Sequence, residues 1–269
     1  MYHAFYGFRE SPFNITPDPR FLFFSRRHRE AYDHLLFGIR ERKGFIQLTG
    51  EVGAGKTTLC RALLEDLGPD CRTALVLNPS LSGIQLLKSI LKELGLSYRG
   101  NDKLRCLEVL NEFLLGELAA GHDVVLIVDE AQDLSDDLLE QVRLLSNLET
   151  DQRKLLQIVL LGQNELRDKL DQRKLRQLRQ RITVRYHLGA LTLGETAAYV
   201  RHRLHVAGAP DPDLFTPLAI ARLHLYARGV PRLINAAGDK ALLCGWVQNK
   251  KKLGIFQIER AIQELEGRT

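Results

Sequence analysis

Eight consecutive residues, Gly50-Glu51-Val52-Gly53-Ala54-Gly55-Lys56-Thr57, fit the pattern G-x-x-x-x-G-K-[ST] at every fixed position. Glycines at 50, 53 and 55 let backbone N–H groups curl around a phosphate without Cβ clashes. A helix opening at this point aims its positive end at the same anion. Lys56 adds a point charge for the β- and γ-phosphates, and the Thr57 hydroxyl is a ligand type that Mg²⁺ takes. Gly50 through Thr58 is therefore expected to cradle ATP with Mg²⁺. Further along, the apolar run Val124–Val128 ends in Asp129-Glu130. A carboxylate at the tip of a buried strand beside the strand of the glycine loop can hold the metal through water, which assigns Asp129. The next one, Glu130, can polarise the attacking water.

Other polar groups fall where such a site could use them. Leu156–Leu161 runs into Gly162-Gln163-Asn164, which puts the Gln163 amide at a strand end suited to the γ-phosphate. Arg167 to Arg185 is a basic run: Arg167, Lys169, Arg173, Lys174, Arg176, Arg179, Arg181 and Arg185 against Asp168 and Asp171. Such a run is ordinarily a solvated helix face. It could also offer an arginine to the ATP of a neighbouring subunit, or track nucleic-acid phosphates. Arg181, just before a strand, is the favoured arginine. Arg232, in Gly229-Val230-Pro231-Arg232, opens a helix from which it could reach a γ-phosphate.

The elements that must carry these groups follow from periodicity. Gly44–Thr49, Thr73–Leu77, Val124–Val128, Leu156–Leu161 and Ile182–Leu188 read as strands, and the first four are apolar enough to be covered on both faces, as in a parallel sheet. Between them lie helical stripes: Ile84, Leu87, Leu91 and Leu94 behind a Ser82-x-x-Gln85 capping box, then Leu104 to Leu118, then Leu138 to Leu148. Alternation of this kind predicts an α/β fold with a five-stranded parallel sheet flanked by helices. After Leu191 only helix signals remain. Thr192-x-x-Glu195 is a capping box, Thr216-Pro217 a helix start, and Gly229-Val230-Pro231 a stop followed by a new start. The expected division is an N-terminal arm and first helix over 1–43, an α/β domain over 44–190, and a small all-helical lid over 191–269. Tyr2, Phe5, Tyr6, Phe8, Phe13, Phe21, Phe23 and Phe24 crowd the arm. It reads as an extended segment that is either a surface strap or a cover over a base-binding pocket.

Composition narrows the class. Hydrophobic residues make up 45% and charged residues 26% of 269 residues, which excludes a disordered chain. No apolar run approaches the ~18 residues of a membrane span, and the start lacks a signal-peptide pattern, so a cytoplasmic location is expected. A net charge of +5 selects no partner by itself. Cys60, Cys71, Cys106 and Cys244 are scattered and read as reduced core thiols.

Taken jointly, F-Y-G-F-R-E-S-P-F-N-I-T-P-D-P-R-F-L-F-F-S, G-E-V-G-A-G-K-T-T-L, V-D-E-A-Q, L-L-G-Q, L-R-Q-L-R-Q-R-I-T-V-R-Y-H-L and G-V-P-R-L-I-N resemble the AAA+ ATPases, and more closely those of the general secretion pathway protein A type. The resemblance runs from Phe5 to about Glu266 and implies the P-loop AAA+ fold. It also implies an Mg²⁺-dependent ATPase that forms a homo-oligomeric, hexamer-like ring. Such a ring would drive assembly of a bacterial secretion or export machine at the cytoplasmic face of the inner membrane. It assigns Lys56 and Thr57 to phosphate and metal, Asp129 and Glu130 to metal and water, Gln163 to sensor 1 and Arg232 to sensor 2. Arg181 takes the arginine-finger position, with Arg176 and Arg179 as alternatives, and Ile15-Thr16-Pro17 would help enclose the adenine. One departure is Asn164, where the family pattern has proline. The competing expectation is an ATP-switched DNA-binding regulator resembling the AAA+ target-selection proteins of transposons, which the basic run would serve.

Overall fold

The computed structural model describes residues 2–16, 18–77, 81–150 and 153–268. In chain order they form α1 (Tyr2–Tyr6), a 3-10 turn at Pro19–Phe21, α2 (Arg26–Arg40), β1 (Phe45–Gly50), α3 (Lys56–Leu67) and β2 (Cys71–Val76). Next come α4 (Gly83–Glu93), α5 (Lys103–Ala119), β3 (Asp123–Val128), α6 (Asp136–Leu145), β4 (Gln157–Gly162), α7 (Asn164–Leu170), α8 (Arg176–Arg181) and β5 (Ile182–Leu188). The remainder is helical: α9 (Leu193–Val206), α10 (Pro217–Ala227), α11 (Pro231–Val247) and α12 (Ile255–Leu265). Two compact units cut across this order. One takes 29–50 and 60–188, the other 1–28, 51–59 and 189–269.

The first unit is built on the expected five-stranded sheet, all parallel, in the order β2-β3-β4-β1-β5. Thr49 lies opposite Gly162, Val128 opposite Leu160, and Gly50 opposite Leu188. The carboxyl ends of β3, β4 and β1 thus share one edge, where open α/β sheets bind their ligands. The order corrects one expectation, since the strand ending at Asp129 does not adjoin β1; β4 lies between them. A second correction concerns β2, expected to be covered on both faces. It is an edge strand with α4 against it, and while Ala74 and Val76 are buried, Arg72 is exposed and Thr73 and Leu75 are half-covered. Phe45, Leu126, Val128, Ile158 and Leu160 supply the sheet side of a core that Leu87, Leu110, Leu114 and Val142 complete from the helices. Each fully buried side chain of this size contributes about 1.5–3 kcal/mol. Local chemistry starts the helices. The Ser82–Gln85 capping box forms on α4, the Asp102 carboxylate caps α5, and Ser135 caps α6 ahead of Asp136 and Asp137.

The second unit holds the helical bundle α9–α12 and the N-terminal arm. Thr192 and Glu195 form the expected capping box, and Thr216 caps α10 ahead of Pro217. Tyr6, Phe8 and Phe13 are buried with Leu204, Phe215, Ile234, Leu242 and Ile258, so these aromatics belong to the core of the bundle. Arg203, itself only 6% exposed, donates to the carbonyls of Pro12 (2.6 Å) and Asn14 (2.8 Å) and lies 4.4 Å over the Phe21 ring. The arm is thus strapped to the bundle by aromatic burial and by one buried guanidinium. It is not extended throughout, because it begins with the helical turn α1. Of the segment expected to cover adenine, Ile15 is 63% exposed, Thr16 is exposed, and Pro17 lies outside the described residues.

Cys60, Cys106 and Cys244 are buried thiols as expected, and burial pushes Cys60 up to about 12. Cys71 is not a core residue; it is half-exposed at the start of the edge strand β2. Among the described residues no helix is long and apolar enough to cross a membrane.

Candidate nucleotide-binding site

From Glu51 on, the glycine loop belongs to the arm-and-bundle unit. Gly53 and Gly55 sit at φ +76° and +99°, where only glycine is unstrained. A Cβ on Gly53 would also lie 2.2 Å from the Arg232 Cβ, so the first turn of α11 approaches the loop backbone too closely for any side chain there. Arg232 donates its backbone N–H to the Gly53 carbonyl at 3.2 Å. Its side chain is exposed, without a hydrogen bond or ion pair among the described residues. Within the loop the Ala54 N–H donates to Glu51 O at 3.1 Å. The Lys56 ammonium, 6% exposed, donates to that same carbonyl at 3.1 Å. Glu51 and Val52 are exposed, and Thr57 and Thr58 are half-buried at the start of α3, whose first turn carries no acidic residue to compete with a phosphate.

His28, which carried no sequence signal, sits beneath this loop. Its ring is 3% exposed, with Nε2 3.1 Å from the Ala54 carbonyl and Nδ1 2.7 Å from Ser25 Oγ. Burial lowers its pKa, which keeps the imidazole neutral.

The carboxylates belong to the sheet unit. Asp129 is 4% exposed and accepts the Glu130 N–H on Oδ1 at 2.9 Å. Glu130 adopts the left-handed conformation, φ +51° and ψ +40°, which costs a non-glycine residue about 1–3 kcal/mol. Two amides hold its carboxylate: Gln132 Nε2 donates to Glu130 Oε2 at 2.7 Å and Gln163 Nε2 at 3.1 Å. Gln132 Oε1 in turn accepts the Gln163 N–H at 3.1 Å. Lys169 pins the main chain of this turn by donating to Gln132 O and Leu134 O. The structure therefore joins Glu130 to Gln163 and adds Gln132. The sequence contained Gln132 within D-E-A-Q but gave it no role.

The arginines of α8 differ from one another. Arg181 donates to Ser146 Oγ (2.5 Å) and Asn147 Oδ1 (2.6 Å). Arg179 pairs with Asp171 at 3.0 Å, and Lys174 nearby pairs with Asp136. Arg176 is exposed and without a hydrogen bond or ion pair among the described residues. Ion pairs thus neutralise Lys174 and Arg179, while Arg181 rests on neutral acceptors. The arm-and-bundle unit offers a backbone anion cradle, one ammonium and hydroxyl oxygens, and the sheet unit offers carboxylate oxygens. That chemistry suits a phosphate chain with Mg²⁺.

Comparison with known proteins agrees with this chemistry. Residues 39–170 match the family model described as an AAA domain. General secretion pathway protein A of Aeromonas hydrophila is 48% identical over 99% of the chain, which spans 49% of that relative's length. Among solved structures, the ORC2 protein of Aeropyrum pernix, in ADPNP–ADP complexes, superposes with TM-score 0.70 at 18% identity, covering 96% of this chain and 72% of its own. The RuvB Holliday junction branch migration motor of Thermotoga maritima gives TM-score 0.59 at 16% identity over 88% and 69%. These two likenesses bear on fold alone. With its parallel sheet, complete glycine loop and AAA-domain match, and its likeness to the Aeromonas protein along nearly all its length, the chain has the P-loop AAA+ fold and is similar to general secretion pathway protein A.

Proposed function

We propose that this chain binds ATP with Mg²⁺ at Gly50–Thr58 and hydrolyses it to ADP and phosphate, using the cycle to drive assembly of a secretion or export machine at the cytoplasmic face of the inner membrane. The observation that carries the ATPase reading is the glycine loop itself, with two glycines at positive φ and a buried lysine at the start of a helix. In this reading Lys56 and the loop N–H groups bind the phosphates, and Thr57 and Asp129 hold Mg²⁺, which supplies charge neutralisation when bound. Glu130 takes up a proton from the attacking water, and the Gln163 amide orients at the γ-phosphate. Arg232 offers its exposed guanidinium to the same phosphate. An arginine of α8, foremost Arg181, completes the site of a neighbouring copy in a homo-oligomeric ring. Support for the secretion role is the likeness to general secretion pathway protein A.

The test compares two variants. Lys56→Ala is expected to fold normally and lose ATP binding. Glu130→Gln is expected to bind ATP and to lose about 10²–10⁴ in kcat, the usual share of a positioned base. Wild-type ATP affinity in folded Lys56→Ala, or an unchanged kcat in Glu130→Gln, would reject these assignments.

A further inference from the structure

We propose that His28 is a positioning residue for the phosphate loop, fixing the direction of the Gly55 N–H by holding the Ala54 carbonyl; the proposal rests on the reading of Gly50–Thr58 as an ATP site. A carbonyl oxygen can only accept, so the 3.1 Å contact to Ala54 O requires the proton on His28 Nε2. Nδ1 of the neutral ring is then an acceptor, and the Ser25 hydroxyl donates to it at 2.7 Å. The same hydroxyl accepts the backbone N–H of His28 at 3.3 Å, so Ser25 caps α2 and sets the tautomer together.

The consequence for the loop follows from peptide geometry. In a trans peptide the carbonyl of one residue and the N–H of the next point in opposite directions. Tying the Ala54 carbonyl to the buried imidazole therefore commits the Gly55 N–H to the opposite side of the chain. The ring also packs on the loop directly, since a Cβ on Gly55 would lie 3.2 Å from His28 Nε2. A second tether, Arg232 N–H to Gly53 O at 3.2 Å, acts one residue earlier. Glycine backbone has the most freedom to lose on ordering, so a loop ordered in advance binds its anion at less entropic cost. A preformed cradle favours substrate and transition state alike, and its loss appears in KM and not in kcat.

The experiment measures binding of a non-hydrolysable ATP analogue and steady-state ATP hydrolysis in His28→Leu, His28→Gln and Ser25→Ala, with thermal melting as the check on folding. His28→Leu is expected to weaken Kd and raise KM about tenfold, the size of one lost buried donor, with kcat at saturating ATP unchanged. His28→Gln keeps an N–H donor and is expected to recover most of the affinity. Ser25→Ala frees the tautomer and is expected to weaken binding by less than His28→Leu. Wild-type Kd in folded His28→Leu overturns the proposal. If that variant does not fold, wild-type Kd in Ser25→Ala or no recovery in His28→Gln overturns it. A wild-type chain that does not bind the analogue rejects the ATP reading itself, whereas a binding wild type with an unaffected His28→Leu rejects only the role of His28.

Discussion

In the proposed reading Glu130 activates water, for which its carboxylate has to be aimed, and it is held by neighbours of different origin. Gln163 comes from the end of β4, and Gln132 from the turn after Glu130 itself. The amide orientation of Gln132 is fixed by chemistry, because its oxygen faces an N–H and its nitrogen a carboxylate. This contact also links the two strand ends, so Gln132 serves both Glu130 and the backbone that presents Gln163. Gln132→Leu, similar in volume but without the amide, is expected to lower kcat about tenfold or more through loss of one charge-assisted hydrogen bond. KM for ATP is expected to stay near wild type, because no loop group is touched. A steady-state comparison of the two constants checks this, and a raised KM with normal kcat would contradict it.

At the scale of elements, the arm is the least conventional part, since short aromatic segments and not a long helix join it to the bundle. Phe13 is 2% exposed, edge-on to Phe215 at 5.8 Å, and its ring fills the space left by Gly238 on α11. Phe13→Ala is expected to cost about 3–5 kcal/mol, read as a lowered urea midpoint, because a rigid bundle closes poorly over a lost ring. What the sequence made legible at this scale was local. The Ser82–Gln85 and Thr192–Glu195 boxes, Thr216-Pro217 and the glycine loop each specify backbone within a few residues, and each forms where its spacing placed it. The placement of Asp129, Glu130 and Gln163 just past strand ends was legible because apolar runs mark where β3 and β4 stop. Strand order was not, as pairing β4 between β3 and β1 depends on contacts far apart in sequence. The half-exposed face of β2 follows from that order, and so escaped a reading of its apolar residues. His28 escaped for a related reason: its partner Ala54 lies 26 positions away, and no local pattern marks the pair.

For the whole molecule, the arginines of α8 bear on assembly. Arg181 is anchored to Ser146 and Asn147, whereas Arg176 is exposed and unpaired among the described residues. If an arginine from one copy completes the site of the next, hydrolysis per chain rises with protein concentration. Arg181→Ala then binds ATP yet loses on the order of 10³–10⁵ in rate. Mixing it with Lys56→Ala is expected to restore part of the activity, since one supplies an intact loop and the other the arginine. A wild-type rate in Arg181→Ala alone would turn attention to Arg176, for which the same mixing experiment applies. The make-up of the arm-and-bundle unit, drawn from 1–28, 51–59 and 189–269, carries a further consequence, for the order of events during synthesis. The arm leaves the ribosome before the bundle, so Phe8 and Phe13 wait through all of 29–188 before their burial partners exist. The phosphate loop belongs to that same late-closing unit. Of the two tethers on the loop, the one from Arg232 N–H to Gly53 O therefore forms only once α11 has emerged, and chains halted earlier expose an aromatic segment to chaperones.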